Sequence, residues 1–292
     1  MFDRAARLNC IDVPFVVANM KIRLPFALAV ILGAAAGAAC DIRVSDKGGV
    51  SVDVNEGGRA EDTWTRSYTV TPGGRFELDV RFSSIEILPA AGKDIDVVAT
   101  RKARGRSDEA ARDLLKQFQM KEEIAPDRVR LEPSRPEGAQ FFGVQIEYQV
   151  KVPPGLQVVV KNEYGSVKLD NVQGRFDLSV TNGRLSGKSV SGGLQAHTIN
   201  GQVIMQMTAV TDDIRITTVN GAAMLGLPPN LNATVEATTI NGGITVRDSL
   251  PLVTSTKEPQ RLSGRLGTGK GPRIELQTTN GGVRLGGGEP PT

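Results

Sequence analysis

Leu194-Gln195-Ala196-His197-Thr198-Ile199-Asn200-Gly201-Gln202-Val203-Ile204-Met205 and Ile214-Arg215-Ile216-Thr217-Thr218-Val219-Asn220-Gly221-Ala222-Ala223-Met224-Leu225 are two copies of one pattern. Apolar residues stand six and four positions before the Asn, Thr or Val stands two before it, and apolar residues return two and four positions after the Gly. Phe176/Leu178 with Leu185, Val235/Ala237 with Ile244/Val246, and Ile274/Leu276 with Val283/Leu285 repeat it around Asn182-Gly183, Asn241-Gly242 and Asn280-Gly281. Two upstream copies bring the total to seven: Val158/Val160 and Val167/Leu169 around Tyr164-Gly165, and Phe76/Leu78/Val80 and Ile85/Ile87 around Phe82-Ser83. Alternation at period two marks a half-buried strand. Asn-Gly supplies a bend, since Gly adopts positive φ at little steric cost. Each unit is strand, bend, strand, and Gly201, Gly221 and Gly242 are expected at positive φ.

Successive bend glycines at 165, 183, 201, 221 and 242 are 18, 18, 20 and 21 residues apart, after which 39 residues lead to Gly281. That last gap is about two periods, and a degenerate copy with Ser263-Gly264 at its bend would fill it. Two architectures use such a pattern: a β-meander, in which each Asn-Gly closes a hairpin, and a β-solenoid, in which each bend redirects the chain while one face stays inward. The near-equality of the units favours an all-β, β-helix-like solenoid of about 18 to 21 residues per unit, whose copies stack and extend one core. Leu194, Ile214, Val235, Val203, Ile244 and Val283 are its predicted core.

The Asn-Gly-x-[Val/Ile/Leu]-x-[Val/Leu] units, the preceding Tyr148-Gln149-Val150-Lys151-Val152-Pro153 segment and the N-terminal export signal described next together resemble the "putative adhesin" domain-of-unknown-function family of bacterial envelope proteins. The resemblance spans roughly residues 70 to 288. It implies a β-helix-like, non-catalytic surface or periplasmic domain of the kind found in adhesion and envelope-stress settings. It brings no catalytic or ligand-binding residues with it.

From Met20 the chain reads Lys21-Ile22-Arg23, then an apolar run from Leu24 to Ala39, then Cys40. A charged start, a short apolar stretch and a small-residue exit describe an export signal, and sixteen apolar positions fall short of a comfortable membrane span. Residues 20–40 are therefore expected to be a signal peptide, and the charged residues 1–19 an upstream extension from a mis-assigned start. Gly37-Ala38-Ala39-Cys40 has the small residues that lipoprotein processing needs before a modifiable Cys, which makes Cys40 the expected lipidation site; cleavage at Ala36-Gly37-Ala38 is the alternative. The polar, Gly-containing stretch 41–62 reads as a flexible tether, residues 63–288 as the repetitive β domain, and residues 289–292 as a disordered tail.

Residues 1–40 hold four of the basic and two of the acidic side chains, so the formal charge of +3 falls to +1 without them. No basic stripe remains to neutralise phosphates, and nucleic acid is not an expected partner. Cys10 and Cys40 are the only cysteines and His197 the only histidine, so the β domain can hold no internal disulfide and no thiolate or multi-histidine metal site. No cofactor is expected.

One convincing helix is predicted near the start, over 107–120, with Ser107 as N-cap, Asp108 and Glu109 in its first turn and Ala111, Leu114, Leu115 and Phe118 on one face. Strands are predicted at 129–131 and 144–150, with a loop at 133–140 and Phe141-Phe142 as a core anchor after it. Gly264-Arg265-Leu266-Gly267-Thr268-Gly269-Lys270-Gly271 comes close to a phosphate-binding loop, but Gly271 stands where the chemistry needs a hydroxyl on magnesium and Pro272 follows where a helix should start. It reads as a turn. His197 falls on an outward position between Ser179 and Thr217. Asp212-Asp213 could resemble the paired carboxylates of polysaccharide-cleaving enzymes, but reads as an inter-strand turn.

No Phe, Tyr or Trp follows Phe176, so most repeat faces lack the flat rings that stack on sugars and bases. The expected function is a non-catalytic, exported, lipid-anchored envelope binding or scaffold domain. Its expected partners are the membrane, through the anchor, and an envelope protein or polysaccharide. The alternative is a β-helical enzyme acting on cell-wall or extracellular polysaccharide, which would need a carboxylate cluster in one deep groove.

Overall fold

The computed structural model describes residues 57–134 and 143–288 in full, and the backbone alone of three short strands before them. Residues 20–37 of the signal segment, the Cys40 side chain, Phe141-Phe142 and the tail lie outside the described residues. The chain divides into two compact units, the first holding Met1–Glu61, Lys102–Gln117 and Gln140–Val144 and the second Asp62–Arg101, Phe118–Ala139 and Gln145–Thr292.

In the first unit β1 (Arg7–Cys10), β2 (Ala38–Val44) and β3 (Val50–Val54) pair antiparallel in that order. Strand β4 (Arg59–Thr69) begins inside the segment read as tether. Helix α1 (Asp108–Gln117) starts where the sequence places it: the Ser107 carbonyl and hydroxyl accept from the Ala111 and Ala110 amides at 3.0 and 3.2 Å, and Asp108 accepts from the Arg59 amide at 2.9 Å. Ala111 and Leu115 are buried. The helix ends before Phe118, three residues short of the predicted boundary.

The second unit is built of strands. After β4 come β5 (Arg75–Pro89), β6 (Asp94–Arg104), β7 (Met120–Ala125), β8 (Arg128–Pro133), β9 (Val144–Val152), β10 (Leu156–Tyr164), β11 (Val167–Asp170) and β12 (Gln173–Asn182). They are followed by β13 (Leu185–Asn200), β14 (Val203–Asn220), β15 (Ala223–Leu227), β16 (Ala233–Asn241) and β17 (Ile244–Val246). Strands β18 (Leu252–Glu258), β19 (Arg261–Leu266), β20 (Arg273–Asn280) and β21 (Val283–Gly287) complete the described strands. Apart from α1 the described fold is all-β.

Repeat positions match residue for residue. Phe176 pairs Leu194, Leu194 pairs Ile214, and Ile214 pairs Ile274, all in parallel ladders. On the other arm Leu185 pairs Val203, Val203 pairs Ala223, and Ala223 pairs Val283. The strands flanking the bends at 183, 201 and 221 thus pair parallel, where hairpins would pair antiparallel, and the arrangement is consistent with a β-solenoid. Of the predicted core, Leu194, Val203, Ile214, Val235 and Val283 are at most 1% exposed. Ile244 is only half-buried, because its short strand β17 is laddered to β21 alone.

The first copy is continuous strand across Phe82-Ser83, yet its buried face changes phase there, from Phe76, Leu78 and Val80 to Ser83, Ile85 and Ile87, and one part of β5 pairs β10 and the other β11. Two expectations are corrected. Ser263-Gly264 is no bend; it lies inside β19, which pairs antiparallel with both β16 and β18. The long gap therefore holds a hairpin that covers the outer edge of β16, not another repeat. Asp212-Asp213 is not a turn but part of a bulge inside β14, where the partner strand β13 has two fewer residues between matched positions.

The units also stack out of chain order. Strand β20 lies between β14 and β16, so the unit bending at Gly281 sits between those bending at Gly221 and Gly242.

Candidate functional site

In-register stacking brings the residue before each bend into one column: Phe82, Tyr164, Asn182, Asn200, Asn220, Asn280, Asn241. The five Asn amides form a ladder, as identical side chains do in parallel stacks. Asn200 donates to Asn182, Asn220 to Asn200, Asn280 to Asn220 and Asn241 to Asn280, each Nδ2 to Oδ1 at 2.8 Å. Beyond Asn182 the column turns aromatic. The Phe82 and Tyr164 rings stack with centroids 4.8 Å apart and planes 7° from parallel, and remain 40% and 46% exposed. Ile199 and Ile240, each one residue before its Asn, stand exposed beside the ladder. The edge offers a strip of outward amides ending in a two-ring stack.

Beneath it runs a second column that sequence reading left as "Thr or Val". Thr198, Thr218, Thr278 and Thr239 are buried, and three of them donate to the bend carbonyl of the adjoining unit: Thr218 to Gly201 at 3.1 Å, Thr278 to Gly221 at 3.0 Å and Thr239 to Gly281 at 2.9 Å. Asn162 serves Ser83 in the same way at 2.8 Å. The Thr198 hydroxyl, buried like the others, has no partner among the described residues. Replacing Thr218 by Val keeps the shape, which Val180 already adopts in this column, but removes a buried donor; it should cost about 1 kcal/mol in urea titration. Thr198→Val should be neutral or stabilising, since it removes a buried hydroxyl that satisfies nothing.

The glycines of the bends are required by the approach of the neighbouring unit. A Cβ on Gly183, Gly201 or Gly221 would lie 1.6, 1.6 or 1.7 Å from the carbonyl oxygen of the bend stacked against it, and on Gly242 or Gly281 2.0 Å from it. Gly183 and Gly281 have φ of 156° and 157°, but Gly201, Gly221 and Gly242 are outside the left-handed region. The positive φ expected of those three is thus corrected: space, not handedness, selects Gly there.

Asp212 and Asp213 face a hollow of about 260 Å³ that Arg175, Asp177 and Gln195 also line. Both acids have structural partners. Asp212 meets Arg175 Nε at 2.8 Å and accepts from the Asp213 amide at 2.9 Å, while Asp213 accepts from the Arg273 amide at 2.7 Å, at the start of β20. This is the geometry of a fastened bulge. His197 is exposed between Ser179 and Thr217. The stretch 264–271 ends β19 and turns, with Asn232 Oδ1 accepting from the Thr268 amide at 2.8 Å.

Elsewhere Lys168 meets Glu86 at 2.8 Å, and that hydrogen bond holds the Glu86 carboxyl below its ordinary range. Burial pushes the Tyr148 phenol well up, and its hydroxyl has no partner among the described residues. Among the described residues no three His, Cys, Asp or Glu side chains are grouped to hold a metal ion, and no helix is long and apolar enough to cross a membrane. The amide ladder was legible in the Asn spacing once parallel register was assumed; the Tyr164–Phe82 continuation was signalled by the same repeat positions.

Residues 144–285 match the family model described as Toastrack DUF4097. No curated protein matches the chain. Among solved structures, a "putative cell adhesion protein" from Clostridium sporogenes is similar over 77% of this chain and 100% of its own, at 12% identity and a TM-score of 0.46. A "putative adhesin" from Bacteroides fragilis covers 77% of this chain and 97% of its own at 9% identity and a TM-score of 0.29. A "putative lipid binding protein" from Parabacteroides distasonis covers 77% and 96% at 10% identity and a TM-score of 0.27.

Proposed function

We propose, from the premise that this chain belongs to the Toastrack DUF4097 family through residues 144–285, that it is a non-catalytic binding and scaffold module of the bacterial cell envelope. The chain is exported, and lipid on Cys40 holds it to the membrane. The observation that carries the reading is the bend edge: a regular strip of five outward amides running into the Phe82–Tyr164 stack. Such a strip is long and open, suited to lie against an extended envelope protein or polysaccharide. The stacked β-solenoid supports the same role, because each unit holds its outward residues at a fixed spacing of about 4.8 Å.

The signal segment and the small residues before Cys40 support the anchor. Stable membrane attachment takes more than one acyl chain, which a diacylglyceryl group on a single Cys provides. Metabolic labelling with a fatty-acid analogue is expected to mark the wild-type protein and to place it in the detergent phase, and Cys40→Ser should abolish both. Unlabelled, fully soluble wild-type protein would overturn the anchor. Release of reducing sugar from isolated envelope polysaccharide by the purified protein, lost on Asp212→Asn, would overturn the non-catalytic reading.

A further inference from the structure

Asn-Gly is the dipeptide most prone to intramolecular deamidation, because no side chain on the Gly hinders attack by its backbone nitrogen on the Asn carboxamide. This chain carries five, and the stack treats them unequally. Four of the glycine amides donate to the Asn carbonyl of the adjoining unit: Gly183 to Asn200 at 2.9 Å, Gly201 to Asn220 at 3.0 Å, Gly221 to Asn280 at 3.0 Å and Gly281 to Asn241 at 3.1 Å. Gly242 ends the series, and its amide has no hydrogen-bond partner among the described residues. The covering hairpin does not reach it: β19 pairs β16 only as far as Thr238, and Gln260 contacts Thr239 and Ile240. Asn241, Gly242 and Gly243 are all exposed, and a Cβ on Gly243 would meet nothing within 4 Å. The side chains differ in the same sense. Asn200, Asn220 and Asn280 each donate to one ladder neighbour and accept from the other, whereas Asn241 donates to Asn280 and accepts from no Asn.

We propose that Asn241-Gly242 is a site of spontaneous covalent modification, at which the folded chain deamidates while the other four Asn-Gly pairs are protected. The deprotonated Gly242 nitrogen attacks Asn241 Cγ, a new C–N bond closes a five-membered succinimide, and the side-chain nitrogen leaves as ammonia. Water then opens the ring at either carbonyl, giving aspartate or isoaspartate. The net change is one water consumed and one ammonia released, with no oxidant or cofactor. Either product puts a carboxylate against the Asn280 Oδ1 that the Asn241 amide held at 2.8 Å, so an acceptor faces an acceptor and the ladder loses its end bond. Isoaspartate also lengthens the main chain by one carbon where β16 passes to β17.

The test is to age the purified protein in mildly alkaline buffer, native and in denaturant, and to locate aspartate and isoaspartate at each Asn by fragmentation mass spectrometry. In the native protein Asn241 should convert about fivefold faster than Asn182, Asn200, Asn220 or Asn280, roughly the factor that one net hydrogen bond guards. In denaturant the five rates should converge, which assigns the selectivity to the fold. Asn241→Gln, exposed and tolerant of the change, should remove the native product without raising the other four. Equal native rates, a lead by any other Asn, or no product at Asn241 in the time the denatured chain takes to convert would each overturn the proposal.

Discussion

Replacing Gly221 by Ala, Asn or Val is expected to destabilise the second unit by about 3 kcal/mol or more, the range of overpacking and backbone clashes. A Cβ there falls 1.7 Å from the Gly201 oxygen and 2.5 Å from its carbonyl carbon, and neither atom can retreat without breaking the stack. The Asn variant separates the two reasons a bend selects Gly. If a left-handed backbone were the constraint, Asn would be the best-tolerated replacement; if close approach is the constraint, Asn fails as badly as Ala. Thr217→Val is the control. It lies four residues before the same Gly, half-exposed on a strand, where a β-branched residue is favoured and the effect should be within about 0.5 kcal/mol. Denaturant midpoints at unchanged slope would measure both. A tolerated Asn at 221 would overturn the close-approach account.

Ile214→Asp should be comparably severe for a different reason. Ile214 is 1% exposed and stacked between Leu194 and Ile274, so the change forfeits about 2 kcal/mol of apolar burial and puts a carboxyl on the buried face. Against a typical total of about 5–15 kcal/mol the unit should be largely unfolded or strongly shifted in midpoint. Far-ultraviolet circular dichroism during urea titration reads this directly. Arg215→Gln, on the outward face one residue along, should be mild, since it gives up only a surface ion pair with Glu275 at 2.8 Å. A wild-type midpoint for Ile214→Asp would mean that the buried face has been misassigned.

The alternation of Leu194, Ala196 and Thr198 against Gln195, His197 and Ile199 made the inward face legible, because side chains in a strand alternate regardless of what the strand pairs with. Parallel stacking was legible less directly, from units of nearly equal length. The order of stacking was not. Asn220, Asn241 and Asn280 sit in near-identical surroundings, and nothing in such a sequence addresses one copy to another. The hairpin of β18 and β19 was hidden for a related reason: its Ser263-Gly264 fits a bend template that pairing with β16 overrides. Of the candidate site, the amide column followed from spacing, while the Thr-to-carbonyl bonds depend on which bend lies next door. The bulge at Asp212-Asp213 was foreshadowed by the 20-residue spacing between Gly201 and Gly221, against 18 for the preceding units.

Insertion of β20 between β14 and β16 sets a condition on biosynthesis. Chains are made, and domains generally fold, from the N-terminus onward. When the unit bending at Gly242 emerges, its proper neighbour has not yet been translated, and the exposed side of β14 presents the same apolar spacing that β20 will later fill. Premature annealing of β16 onto β14 would leave the last segment no slot, so productive maturation requires that the two be kept apart until the final residues arrive.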